Sequence, residues 1–143
     1  MNYKFFLIVF TLFLTSCAGT GTKDFSLVND QISKPDSNLI VMYRDKAFTC
    51  GACVMDVELN GENIGKIGNG EFLTHPYDDG INTVKIKVDN FLQGLGMNKP
   101  TLQFESNDVD NNIYILIDID AGWNSAEIEL MEVSERTFKN KAK

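Results

Sequence analysis

Cys50-Gly51-Ala52-Cys53 is the spacing in this 143-residue chain that most invites chemistry. Two thiols separated by two residues serve thiol–disulfide exchange when the first opens a helix, whose N-terminus stabilises the thiolate. Here Val54–Leu59 follows, with Met55, Val57 and Leu59 alternating with Asp56 and Glu58, which is the pattern of a strand. The helix that such an exchange needs is therefore not expected. Zinc requires three or four soft ligands. Cys50, Cys53 and His75, the single histidine, would supply three only if the fold gathered them with an acidic fourth.

Other constellations are weaker. In "DIDAGWNSAEIE", residues 118 to 129, Asp118, Asp120, Asn124 and Glu129 stand at the first, third, seventh and twelfth places of a calcium-type loop. Trp123 occupies the sixth place, where that loop requires glycine, and both flanks read as strands. Solvated acidic turns are the expectation. His75 in "THPY" has no nucleophile motif near it, so no triad is assigned. The glycines of "GKIGNG" fall in a strand and a turn and make no phosphate loop. Tyr77 and Trp123 are candidates for a contact surface or for the core. No catalytic residue, cofactor or metal ligand is expected.

The N-terminus is more specific. Lys4 is the only charge before Phe5–Leu14, a ten-residue run in which Thr11 is the only polar residue. That is the make-up of a secretory signal and falls short of the ~20 apolar residues that span a bilayer. The run ends Leu14-Thr15-Ser16-Cys17, which resembles the lipobox of bacterial lipoproteins. The resemblance implies cleavage after residue 16, a diacylglycerol on the Cys17 thiol and an acylated amine. Two or three chains give durable attachment at ~0.8 kcal/mol per buried methylene, where one chain gives only a marginal one. Ala18, in place of an aspartate, implies by resemblance to Gram-negative lipoproteins an outer-membrane protein facing the periplasm. With Cys17 consumed by lipid, Cys50 and Cys53 remain in an oxidising compartment, and a disulfide between them is the expectation. Two partly buried free thiols are the alternative.

Without residues 1–16 the chain has 127 residues, enough for one domain with a modest core. Loss of Lys4 takes the formal charge from −7 to −8. So acidic a chain is a poor nucleic-acid ligand, since such affinity rests on Lys and Arg neutralising phosphates. Anionic headgroups would also repel it, so acyl chains rather than a basic patch must hold it at a membrane. Residues 17–37 read as the lipidated cysteine and a tether. Phe25, Leu27, Val28 and Ile32 are more apolar than a pure spacer requires, so part of this segment can pack on the domain.

From Asn38 onward, alternation of period two recurs between turn signals. Leu39–Tyr43 suits a buried strand. Asn60-Gly61 joins Val54–Leu59 to Glu62–Ile67, and Asn-Gly between such runs is the strongest short hairpin signal. Phe72–Thr74, then "TVKIKVD" with Val84, Ile86 and Val88 on one face, then Thr101–Glu105 continue the series. "IYILIDI", 113 to 119, is apolar on both faces, as a central strand would be. "AEIELMEV" alternates Ala126, Ile128 and Leu130 with Glu127 and Glu129. Seven or eight short strands predict an all-β domain over residues 38–135. A single antiparallel β-sandwich is the first expectation and a small β-barrel the alternative. Residues 136–143 are left as a C-terminal tail.

"MYRDKAF", "VELNGENIGKIGNGEF", "DDGINTVKIKV" and "NIYILIDI" resemble a family of uncharacterised bacterial lipoproteins similar to the small PEGA-type β-domains. Tyr43-Arg44, Leu59-Asn60-Gly61, Ile64-Gly65 and Phe72 match its pattern. Asp79-Gly80 stands where Pro-Gly is usual, and Asn82 where a histidine is frequent. The resemblance spans residues 38 to 133 and rests on turn and core positions. It implies an envelope lipoprotein of sandwich-like fold and supplies no activity. The expected partners are membrane lipid, through Cys17, and an envelope protein or polymer. The expected role is that of a non-enzymatic binding or accessory module, the rival being a thiol-redox or metal-handling protein using Cys50, Cys53 and His75.

Overall fold

The computed structural model describes residues 19–34, 37–94, 96–106, 111–121 and 126–143. Cys17, Trp123 and Asn124 lie outside the described residues, as do the signal-like run and its expected cleavage point. The strands are β1 (Leu39–Arg44), β2 (Met55–Leu59), β3 (Glu62–Ile67), β4 (Phe72–Pro76), β5 (Gly80–Lys87), β6 (Thr101–Ser106), β7 (Ile113–Ala121) and β8 (Ala126–Val133). Helix α1 (Phe25–Ile32) precedes them, the five-residue α2 (Asn90–Gly94) follows β5, and α3 (Glu135–Lys141) follows β8. Among the described residues no helix is long and apolar enough to cross a membrane.

Among the described residues the strands form two four-stranded sheets, ordered β4-β1-β7-β8 and β3-β2-β5-β6, and close into no barrel. The expected sandwich is the fold. The second sheet is antiparallel throughout, and its β2–β3 turn carries positive φ at Asn60 (53°) and Gly61 (88°), as an Asn-Gly hairpin requires. One pair departs from the antiparallel expectation. β1 and β7 run parallel, Ile40 opposite Ile113 and Arg44 opposite Ile117. Alternation shows which face a residue takes but is blind to strand direction, so this pairing left no mark in the sequence.

Between the sheets lies a core that includes Ile40, Met42, Val57, Ile67, Val84, Ile86, Ile115, Ile117 and Ile128. A second apolar cluster sits on the outer face of the first sheet, where Val41, Tyr43, Phe72, Tyr114 and Leu116 meet Val28 and Ile32 of α1 and Phe138 of α3. The strands β1 and β7 are thus apolar on both faces because helices cover the outer one. Phe138 is fully buried, its ring 5.1 Å from that of Tyr114 and 6.2 Å from those of Tyr43 and Phe72.

The segment read as a tether is built into the domain from Gly19 onward. Thr20 N and Gly21 N donate to Lys66 O, Lys66 N donates to Thr20 Oγ1, and Thr22 pairs with Phe72. The backbone of β3 at Gly65 (φ 150°) lets this segment come close, for a Cβ there would lie 2.6 Å from Thr20 Oγ1. Asp24 then caps α1, accepting from Ser26 N. Glu135–Lys141, the last residue of the expected β-domain and most of the expected tail, form α3, capped by Ser134, whose hydroxyl accepts from Thr137 N.

Strand direction gives the sandwich two distinct ends. One end carries Gly19–Thr22, the β1–β2 loop with Cys50 and Cys53, and the β3–β4 turn Gly68–Glu71. The other carries the Asn60-Gly61 turn, the β4–β5 connection at Tyr77–Asp79, and the approach to β7 at Asn111-Asn112.

Candidate functional site

The edges of the two sheets, β3 and β4, face each other across an open seam. Residues 20–22 bridge it at one end by bonding to Lys66 of β3 and Phe72 of β4. At the other end it stays open as a cleft of about 340 Å³, a size that suits a small ligand or a short segment of a larger one. Leu59, Ile64, Pro76 and Tyr77 give it apolar walls, and Asn60, Glu62, His75 and Asp78 supply polar groups.

These side chains are held by strand register and by one buried amide. His75 sits opposite Ile40 on the edge strand, and its Nδ1 lies 2.6 Å from Pro76 O. A carbonyl only accepts, so Nδ1 carries the hydrogen in this contact. The Tyr77 hydroxyl donates to Asn111 O, and its ring packs edge-on against Phe104 at 5.7 Å. Burial pushes the Tyr77 phenol above its ordinary pKa, and Asp79 adds to the shift.

Asn82 is 1% exposed and holds the cleft walls together. Its Oδ1 accepts from Asn60 Nδ2 at 2.8 Å, and its Nδ2 donates to Asp78 O at 2.7 Å and Gly80 O at 3.1 Å. Asn60 Oδ1 in turn accepts from Thr83 N at 2.9 Å. The hairpin turn and the β4–β5 connection are therefore fixed to one another through one side chain. Sequence reasoning missed this role; the only signal was an asparagine on a strand that is otherwise Val- and Ile-rich.

At the opposite end Cys50 and Cys53 stand at disulfide distance, with Cα atoms 5.0 Å apart. They belong to a tight turn in which Cys50 has φ 59° and Cys53 N donates to Cys50 O. β2 begins two residues later, so no helix opens at Cys50. Arg44, 0% exposed, reaches beneath this turn and donates to Cys50 O at 2.7 Å and to Cys53 O. Burial lowers the guanidinium pKa, and the charge of Glu71 opposes that shift. An arginine keeps its charge in a protein, so the loop backbone is clamped by a buried cation.

The fold does not bring Cys50, Cys53 and His75 together; His75 lies at the far end of the sandwich. Among the described residues no three His, Cys, Asp or Glu side chains converge as metal ligands would. Asp118 pairs with Glu129 and Asp120 with Glu127 across the β7–β8 ladder, so these residues belong to strands rather than to a calcium-type loop. Comparison with protein-family models, with characterised proteins and with solved structures yields no match.

Proposed function

We propose that this chain is a lipid-anchored protein of the cell envelope whose sandwich acts as a non-enzymatic binding or accessory module. The signal-like run and the Leu14-Thr15-Ser16-Cys17 box support the anchor, by resemblance. The observation that carries the binding role is the placement of the cleft. Gly19, two residues after Cys17, lies at one end of the sandwich, and the cleft with His75, Tyr77 and Asp78 opens at the other. An acylated Cys17 would keep the domain at a bilayer with its cleft turned outward to an envelope protein or polymer. The thiol-redox reading draws less support, because Cys50 opens a clamped turn and β2 rather than a helix.

A photo-crosslinking residue at Glu62, compared with one at exposed Gln103 on β6, tests this in living cells. The expected result is a discrete adduct from position 62 and none from position 103. No adduct at 62, or the same adducts at both positions, contradicts it.

A further inference from the structure

The end of the sandwich that receives the N-terminal segment also carries the most exposed large apolar side chain among the described residues, Phe48, with a relative exposure of 104%. Among the described residues nothing folds over it. The loop that holds it is braced from several sides. Gly51 N donates to Phe48 O, Arg44 donates to the two cysteine carbonyls, and Cys50 and Cys53 close the turn. Asn69 exchanges two hydrogen bonds with the backbone of Ala47, at 2.9 and 3.1 Å. Such bracing holds the ring outward, when a soluble loop would gain by folding it back onto apolar surface.

The turn that braces this loop is the one the N-terminal segment touches. Asn69 belongs to Gly68–Glu71, and a Cβ at Gly19 would lie 3.0 Å from Gly68 N and against the Glu71 carboxylate. The stem of Lys46 lies on Gly70 of the same turn. From Cys17 to Gly19 the chain can reach at most about 7 Å. Acyl chains on Cys17 would therefore leave the protein beside the Phe48 loop, with no slack for the domain to stand away from the lipid.

We propose that this end of the sandwich is a bilayer-contact surface, in which Phe48 enters the boundary between headgroups and acyl chains beside the lipid on Cys17. The proposal rests on the lipid-anchor reading and adds an orientation to it. Lys46 and Lys66 flank the contact, their side chains exposed. Asp118, Asp120, Glu127 and Glu129 lie at the same end but on β7 and β8, away from the β4 edge where the segment enters. The domain accordingly tilts its β3–β4 side toward the bilayer. The cleft at the other end then faces away from the membrane.

The test uses the mature acylated protein in phosphatidylcholine vesicles whose chains carry bromine close to the headgroups. Phe48→Trp reports on the loop, and Ile81→Trp, at a 66% exposed position at the far end, is the control. Both are made in a Trp123→Phe background, since Trp123 is the single tryptophan. Should that background fail to fold, the difference between F48W and the wild type reads the same quantity. The expected result is loss of emission and a blue shift for Trp at 48, and neither for Trp at 81. A protein that floats with the vesicles but shows equal, unquenched emission at both positions overturns the orientation while leaving the anchor intact. A protein that does not float with the vesicles overturns the anchor reading and this proposal together.

Discussion

The guanidinium of Arg44, wholly buried at the end of β1, donates to the carbonyl oxygen of Cys50 at 2.7 Å and to that of Cys53 as well. A cation at the close of a central strand thus organises a loop that the strands alone would leave loose. Its Nε has no partner among the described residues, so the arrangement already carries some desolvation cost. Arg44→Ala would remove the charge and strand two carbonyls. Each hydrogen bond to a charged group contributes about 1.5–3 kcal/mol, so a loss on the order of 3 kcal/mol is expected in urea unfolding. An unchanged midpoint and slope would show that the clamp contributes nothing.

A bridge between Cys50 and Cys53, which stand at disulfide distance, would close a ring of four residues, and loop-closure entropy for so small a ring is worth about 2 kcal/mol. Cys50→Ser with Cys53→Ser is expected to lower stability by that order and to leave partner capture at the cleft unchanged. Alkylation of unreduced mature protein should modify neither thiol. Uptake of reagent at both positions removes the bridge, and loss of partner capture in the double serine variant would favour the thiol-based alternative.

Asn82 joins the two walls of the cleft through three hydrogen bonds. Asn82→Ala leaves Asp78 O and the Asn60 amide short of a buried partner, at about 1–3 kcal/mol for each group that water does not reach. Chemical-shift changes should cluster at Asn60, Asp78 and Gly80, and the crosslink at position 62 should weaken. Changes confined to β5 would show that Asn82 has no hold on the cleft.

The three tyrosines among the described residues, Tyr43, Tyr77 and Tyr114, have phenol pKa values raised chiefly by burial. Nearby acids, Asp45, Asp79 and Glu135 respectively, add to the effect. Above the ordinary value of about 10, the unfolded chain releases phenolic protons that the native chain retains. The unfolded state then binds fewer protons, so stability falls as pH rises past that point and is intact below it. Absorbance titration should show ionisation displaced to alkaline pH and steepening where the chain unfolds. Three tyrosines titrating near 10 with the fold intact would contradict the burial described for them.

Much of the sandwich was legible because half-buried strands alternate. Met55, Val57 and Leu59 are buried as their spacing predicts, and so are Val84, Ile86 and Val88. Asn60-Gly61 announced its own turn through the positive φ that it needs. The parallel β1–β7 pair was invisible, since the residues that oppose one another lie more than seventy positions apart. Helix α1 is only eight residues long and buries Val28 and Ile32 alone, too short a stripe to stand out as a period. Tyr77, read as a candidate for a contact surface or for the core, lines the cleft and packs against the core, whereas Asn82 was noted only as a departure from a pattern. Its role arises where the β2–β3 turn and the β4–β5 connection meet in space. Arg44 entered the sequence reading only beside Tyr43 as a match to a family pattern, and burial of its charge depends on carbonyls supplied by a later loop.

The orientation of the domain, the outward cleft and the membrane contact all depend on what happens at one sulfur. Growth of cells on radiolabelled palmitate, followed by capture of wild type and Cys17→Ser, tests that most directly. The account expects label on a wild-type chain shortened by the sixteen-residue leader, and an unlabelled, uncleaved precursor for the variant. A wild-type chain without label, or a labelled serine variant, contradicts it.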